Sequence, residues 1–238
     1  MGWFSNLFNK KERAEKKKLK LEPIYLPFIE LKRVKGDLKE FEKFIQGYGR
    51  IGIILGARGT GKSALGMRIF ENINSRTKKI SYAIGFNSRK VPKWIKVVDN
   101  LEDIPNNSYL IVDESGISFS SRSSMSNANK LLSELLLISR HKSISIIFIT
   151  QNSANIEINT LRQADYLLFK KSSLLQLDFE RKKIKDIYQQ VGDGFERFKD
   201  DKGLTYVYSD AYQGFISNSL PSFWTEGLSK SFSGASIS

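Results

Sequence analysis

Apolar residues in this chain fall in short runs, and two periodicities alternate along it. Ile51-Gly52-Ile53-Ile54-Leu55 is an apolar run that stops at Gly56. A run of this length bounded by glycine predicts a strand buried on both faces. Ser63–Ile73 then carries Leu65, Ile69, Phe70 and Ile73 at helical spacing. Strands are predicted at residues 79–84, 94–98, 109–112, 144–149 and 165–169. A helix over residues 128–141 carries Leu131, Leu132, Leu135, Leu136 and Ile138, and a basic helix is expected near residues 177–190. Residues 204–208 and 211–216 have the pattern of a closing hairpin. Upstream, Pro23, Pro27 and the mixed stretch from Phe28 to Phe44 predict a lead-in strand and a short helix.

Strands alternating with helices predict an α/β fold of three layers, a mostly parallel sheet covered on both faces. The expected organisation is an appendage over residues 1–22, one domain over residues 23–216, and a Ser/Gly-rich tail over residues 217–238 that is loose apart from Pro221–Trp224.

Composition narrows the chemistry. There is no cysteine and one histidine, His141, which excludes disulfides, thiolate metal sites and a histidine metal cluster. The net charge of +13 favours a polyanionic partner, DNA or an anionic membrane surface. Residues 1–20 hold seven basic groups against Glu12 and Glu15, behind Trp3, Phe4, Leu7 and Phe8 at helical spacing. Such a foot with a basic collar fits a membrane surface, a partner or a solvated tail. No apolar run reaches the roughly 18–20 residues of a membrane span, and the start lacks the charge order of a secretion signal. The expected location is cytoplasmic, with peripheral membrane contact through residues 1–20.

The chemistry is concentrated after the first buried strand. Gly56-Ala57-Arg58-Gly59-Thr60-Gly61-Lys62-Ser63 matches G-x4-G-K-S in full, between an apolar strand and a helix. Glycines at these positions let successive N–H groups turn inward on an anion, and the following helix adds its N-terminal dipole. Lys62 is placed for the β- and γ-phosphates of ATP and the Ser63 hydroxyl for Mg2+. A metal-facing carboxylate is expected at the end of a neighbouring strand, where Asp113 follows Tyr109-Leu-Ile-Val112. Glu114, next in sequence, suits a group that polarises attacking water, or one that satisfies a helix N-terminus. Gln151, after the strand at residues 144–149, is a candidate γ-phosphate sensor or a loop-capping amide.

Ser139-Arg-His-Lys-Ser-Ile-Ser-Ile-Ile-Phe-Ile-Thr-Gln-Asn152 resembles the R-H, apolar strand, T-Q segment of the FtsK–HerA superfamily of P-loop ATPases, and within it Zot-like proteins and viral DNA-packaging ATPases. The resemblance covers about residues 50–170. It implies a RecA-like core of the additional-strand, catalytic-glutamate type, with a strand between the phosphate-loop strand and the Asp113 strand. It also implies homo-oligomeric rings, often hexamers, and ATP-driven movement of DNA. On the matching positions, Gly56–Ser63 would bind phosphates, Ser63 and Asp113 magnesium, Glu114 water and Gln151 nucleotide. A neighbour's arginine would complete the site: Arg140 first, then Arg122 or Arg162, although Arg140 also suits a helix C-terminus. The serine-rich stretch Ser115–Asn127 with Arg122, and Glu180–Lys185, are candidate DNA-contacting surfaces. Unlike most Zot proteins, the sequence has no membrane-spanning segment.

The leading expectation is an ATP-hydrolysing DNA motor of the packaging or translocation kind. The alternatives are a membrane-associated Zot-like assembly or extrusion ATPase, and a slow nucleotide switch. Val112-Asp113-Glu114 is also similar to thymidine kinases, but those usually carry a cysteine zinc lobe.

Overall fold

The computed structural model describes residues 21–99, 101–113, 125–156 and 158–225, with residues 125–132 described by their backbone. The N-terminal foot, Glu114, the Arg122 segment up to residue 124 and the tail beyond residue 225 lie outside the described residues.

Nine described strands form one sheet: β1 (Ile29–Gly36), β2 (Ile51–Leu55), β3 (Ser81–Ile84), β4 (Ile95–Val97), β5 (Tyr109–Asp113), β6 (Ser145–Ile149), β7 (Tyr166–Phe169), β8 (Thr205–Ser209) and β9 (Tyr212–Ser217). Their spatial order is β1-β9-β8-β7-β2-β6-β5-β3-β4. The block from β7 to β4 is parallel throughout. β8, β9 and β1 extend it antiparallel, so the sheet is mixed rather than simply parallel. The cause is local: two residues separate β8 from β9, and so short a connection joins only antiparallel neighbours. The expected hairpin therefore lengthens an open sheet instead of closing one.

The described α-helices are α1 (Leu38–Phe44), α2 (Lys62–Thr77), α3 (Met125–Lys142), α4 (Ile158–Gln163), α5 (Leu174–Asp178) and α6 (Lys182–Arg197). Strand side chains alternate between two cores, one on each face. Ile53, Leu55, Leu110, Val112, Ile146 and Phe148 pack with Leu135 and Leu136 of α3 and Ile184, Ile187 and Phe195 of α6. Ile54, Ile111, Ile147 and Ile149 pack on the other face with Leu65, Ile69, Phe70 and Ile73 of α2 and Phe41 of α1. This is the expected three-layer arrangement. The basic helix expected near residues 177–190 is instead two helices, α5 and the longer α6, broken at residues 179–181.

α2 follows the phosphate loop and carries polar side chains into the interior. Arg68 and Glu71, 1% and 0% exposed, form an ion pair at 2.9 Å. Both also bind backbone from the flanking segments. Arg68 donates to Ile24 O at 3.3 Å, to Ser219 O at 3.4 Å and to Leu220 O. Glu71 accepts the N–H of Ile24 at 3.2 Å, the N–H of Ser222 at 2.9 Å and the Ser222 hydroxyl. Asn72 pairs with both backbone groups of Leu26, at 3.0 and 2.7 Å. The packed chain thus runs past residue 216, and Phe223 is buried with the α2 core.

Removing one member of a buried ion pair leaves the other charge uncompensated, at a cost of about 3–5 kcal/mol. Glu71→Ala is expected to lower unfolding free energy by about that amount, read from urea denaturation. A loss under about 1 kcal/mol would show that the pair does not hold the two flanking segments.

Candidate functional site

β2 delivers the phosphate loop to the sheet edge formed by the C-terminal ends of the parallel strands. The turn at residues 56–61 has glycine at its three points of positive φ, Gly56, Gly59 and Gly61. At Gly56 a Cβ would stand 2.6 Å from the Lys170 Cβ, so the loop backbone passes against the chain leaving β7. Gly61, with φ +86°, begins α2 in a left-handed conformation that a side chain would strain. The loop is braced from outside as well: Ala57 N–H donates to Lys171 O at 3.0 Å.

Lys62 is buried, and its ammonium donates to Gly56 O and Ala57 O, both at 2.8 Å. The Thr60 hydroxyl donates to Ala57 O at 2.7 Å. Arg58 and Gly59 are exposed at the loop tip. The decisive contact is between two elements: Ser63 Oγ donates to Asp113 Oδ2 at 2.7 Å. The loop hydroxyl and the carboxylate ending β5 thus share one position, fifty residues apart in sequence. Two hard oxygen donors side by side at a phosphate loop fit Mg2+.

β6 lies between β2 and β5, pairing with both. Thr150 N–H donates to Ile54 O at 3.1 Å, so Gln151 leaves the sheet beside the phosphate loop, at the level of Asp113, which pairs with Ile149. Gln151 is exposed. Asp113, Ser63, Lys62 and Gln151 are therefore gathered at one edge.

Of the candidate arginines, Arg140 and Arg162 are not, and Arg122 lies outside the described residues. α3 ends at the opposite edge, where Asn107 N–H donates to Lys142 O at 2.8 Å just ahead of β5. An α-helix of 18 residues is about 27 Å long, so exposed Arg140 stands far from its own phosphate loop. Exposed Arg162 precedes Asp165, whose carboxylate accepts the Ile51 N–H at 2.7 Å, again at the start of β2. Neither serves the site of its own chain.

Glu180–Lys185 also differs from a phosphate-facing helix. Glu180 is 8% exposed and bonds Ser153, Arg181 bonds the carbonyls of Ser153 and Ile156, and Ile184 is core. Among these six residues Lys182 and Lys183 are exposed, and Lys185 lies 3.5 Å from Asp178. The charge run concealed this, because the partners of Glu180 and Arg181 lie 25–28 residues upstream.

The profile of one family matches residues 51–173: Zonular occludens toxin (Zot). The chain belongs to the Zot family. The matched stretch contains the phosphate loop, Asp113 and Gln151, the same three features that the fold brings to one edge. No curated protein sequence matches the Zot-family chain. Among solved structures it is similar to the genome packaging NTPase B204 of Sulfolobus turreted icosahedral virus 2, in complex with AMPPCP. Identity is 17%, over 72% of this chain and 98% of that one, with a TM-score of 0.47. The DNA-packaging ATPase B204 of Sulfolobus turreted icosahedral virus is 21% identical over 73% and 99%, with a TM-score of 0.47. A KaiC-like protein of Pyrococcus horikoshii is 12% identical over 52% and 73%, with a TM-score of 0.41. No helix among the described residues is long and apolar enough to cross a membrane.

Lys170 is a feature that sequence reasoning missed. Its one signal is a lysine directly after the apolar run Tyr166–Phe169. It is 2% exposed, and Nζ donates to Gly203 O at 2.9 Å and Asn218 Oδ1 at 3.2 Å. Burial pushes its pKa down to about 7, with Asp201 opposing part of the shift. Between about 7 and the ordinary lysine value of 10.5 the unfolded chain binds the proton and the folded chain does not, so this group's contribution to stability rises with pH. Stability relative to Lys170→Met is expected to increase from pH 7 to pH 10 and to be flat below pH 6.5, measured by urea denaturation at each pH. An unchanged difference across that range would mean that Lys170 stays charged in the fold.

Proposed function

We propose that this Zot-family chain is an ATP-hydrolysing motor that moves DNA, of the packaging or translocation kind, working as a homo-oligomeric ring. The observation that carries the reading is the Ser63–Asp113 hydrogen bond beside Lys62. It gathers the hydroxyl, carboxylate and cation that Mg2+-dependent phosphoryl transfer uses. β6, standing between β2 and β5, supports the additional-strand, catalytic-glutamate form of the fold.

In this reading the phosphate-loop N–H groups and the α2 N-terminus hold the phosphates, and Lys62 offsets charge on the β- and γ-oxygens. Ser63 and Asp113 would hold Mg2+, which when bound neutralises charge that develops between the β- and γ-phosphates. Glu114 orients and polarises the attacking water, and Gln151 registers the γ-phosphate. Arg140 of a neighbouring copy is the first candidate to complete the charge stabilisation, since it cannot reach the site of its own chain. The charge of +13 supports DNA as the polyanion.

A second reading, a membrane-associated assembly or extrusion ATPase, is favoured by Trp3, Phe4, Leu7 and Phe8 ahead of the lysine run. Loss of vesicle co-sedimentation on deleting residues 1–20 would support it. Slow turnover indifferent to DNA would favour a nucleotide switch.

Glu114→Gln is expected to bind Mg2+-ATP about as tightly as the wild type, with kcat lowered by about 10²-fold or more. Wild-type turnover should rise with added DNA, and DNA affinity should fall steeply with salt. Retained hydrolysis in Glu114→Gln would remove that residue from its role, and a flat salt response would remove DNA as the principal partner.

A further inference from the structure

The loop that carries Gln151 is held from outside by α5 and the turn after it. The Gln176 side-chain amide donates to the backbone carbonyl of Gln151. The buried Glu180 carboxylate accepts the Ser153 N–H on both oxygens, at 3.2 and 3.1 Å, and the Ser153 hydroxyl as well. Arg181 closes the loop's other side, with Nε donating to Ser153 O at 3.1 Å and Nη2 to Ile156 O at 2.7 Å. Gln176 also reaches Glu180 at 3.4 Å, so two of the three holding side chains are linked directly, and Arg181 shares Ser153 with Glu180.

The same stretch of chain begins against the phosphate loop. Lys170 packs on Gly56, and Lys171 O accepts the Ala57 N–H. Ser173 caps α5 by accepting the Gln176 N–H at 3.2 Å, and Tyr188 of α6 donates to Lys170 O at 3.0 Å. Residues 170–181 thus form one strut that touches the phosphate loop at its start and the Gln151 loop at its end. A buried carboxylate that loses its hydrogen bonds is left unsatisfied at a high cost, so Glu180 and Ser153 are strongly bound to one arrangement. Gln151 itself is exposed while Ser153 is buried, and the Thr150 hydroxyl and Asn152 side chain add local bonds to the same loop, so Glu180, Gln176 and Arg181 are what tie it to the chain after β7.

We propose that Glu180 is a positioning residue for hydrolysis. With Gln176 and Arg181 it fixes the backbone of residues 151–153 relative to the phosphate loop, and so sets where the Gln151 amide meets the γ-phosphate. This inference rests on the role given to Gln151 above. The geometry matters because a displacement of about 1 Å in a group that orients a reaction costs up to about 10²-fold in rate.

The test uses the full chain with Mg2+ and ATP, and a non-hydrolysable ATP analogue for affinity. Glu180→Ala is expected to lower kcat about tenfold or more while analogue affinity stays within about twofold. Combined with Gln151→Ala it should be no slower than Gln151→Ala alone, because Glu180 acts through Gln151. Gln176→Ala removes one contact at a half-buried position, and is expected to lower kcat about threefold with unchanged affinity. It carries the test if Glu180→Ala does not fold. The proposal is overturned if Gln151→Ala slows turnover but Glu180→Ala and Gln176→Ala do not, or if the Glu180 and Gln151 effects add. Wild-type turnover in Gln151→Ala would overturn the sensor role itself and the proposal with it.

Discussion

The double pairing of β2, to β6 on one side and β7 on the other, is the constraint on which the rest of the edge depends. Ile54 faces Ile149 and Leu168 in register, Thr150 N–H bonds Ile54 O, and Lys170 N–H bonds Leu55 O. Three strands therefore end at one level, and three loops begin side by side: the phosphate loop, the Gln151 loop and the strut from Lys170. Because both faces of β2 are buried, a slip of one residue would exchange its two cores, so the level is strongly fixed. Ser63 meeting Asp113 follows from the same registration carried across β6 to β5.

Much of this was legible in the sequence, for a physical reason. Ile51–Leu55, Tyr109–Val112 and Ile144–Ile149 are apolar enough to be central strands, and their ends are marked by residues whose chemistry has no core use: Gly56, Asp113 and Gln151. What pattern reading could not supply was contact across long separations. The burial of Arg68 and Glu71 has no local signal, because nothing near them in sequence says that Ile24 and Ser222 will cover them. Glu180 read as part of a basic face, because Ser153 lies 27 residues away. Arg140 stood out through the R-H, apolar strand, T-Q segment, but only the path of α3 shows it at the opposite edge from its own phosphate loop.

The interior charges divide by face. On the α2 side, Arg68 and Glu71 bind the backbone of flanking segments. On the α6 side, Glu180 and Arg181 bind the backbone of a loop. Lys170, directly after β7, ties that stretch of chain to Gly203 and Asn218. In each case charged side chains take the place of secondary-structure pairing for backbone that belongs to neither helix nor sheet.

Trp94 gives the flanking segments a common meeting point. Its indole N–H donates to Leu21 O at 3.1 Å, and its ring stands edge-on to Phe223 with centroids 5.4 Å apart. The first and last described stretches therefore close on each other, and the folded unit is nearly a circle of chain. Such a circle has no privileged opening. Joining residue 225 to residue 21 by a short bridge and reopening the chain at a surface turn, such as the two residues between β8 and β9, would leave every loop at the nucleotide edge with its present neighbours.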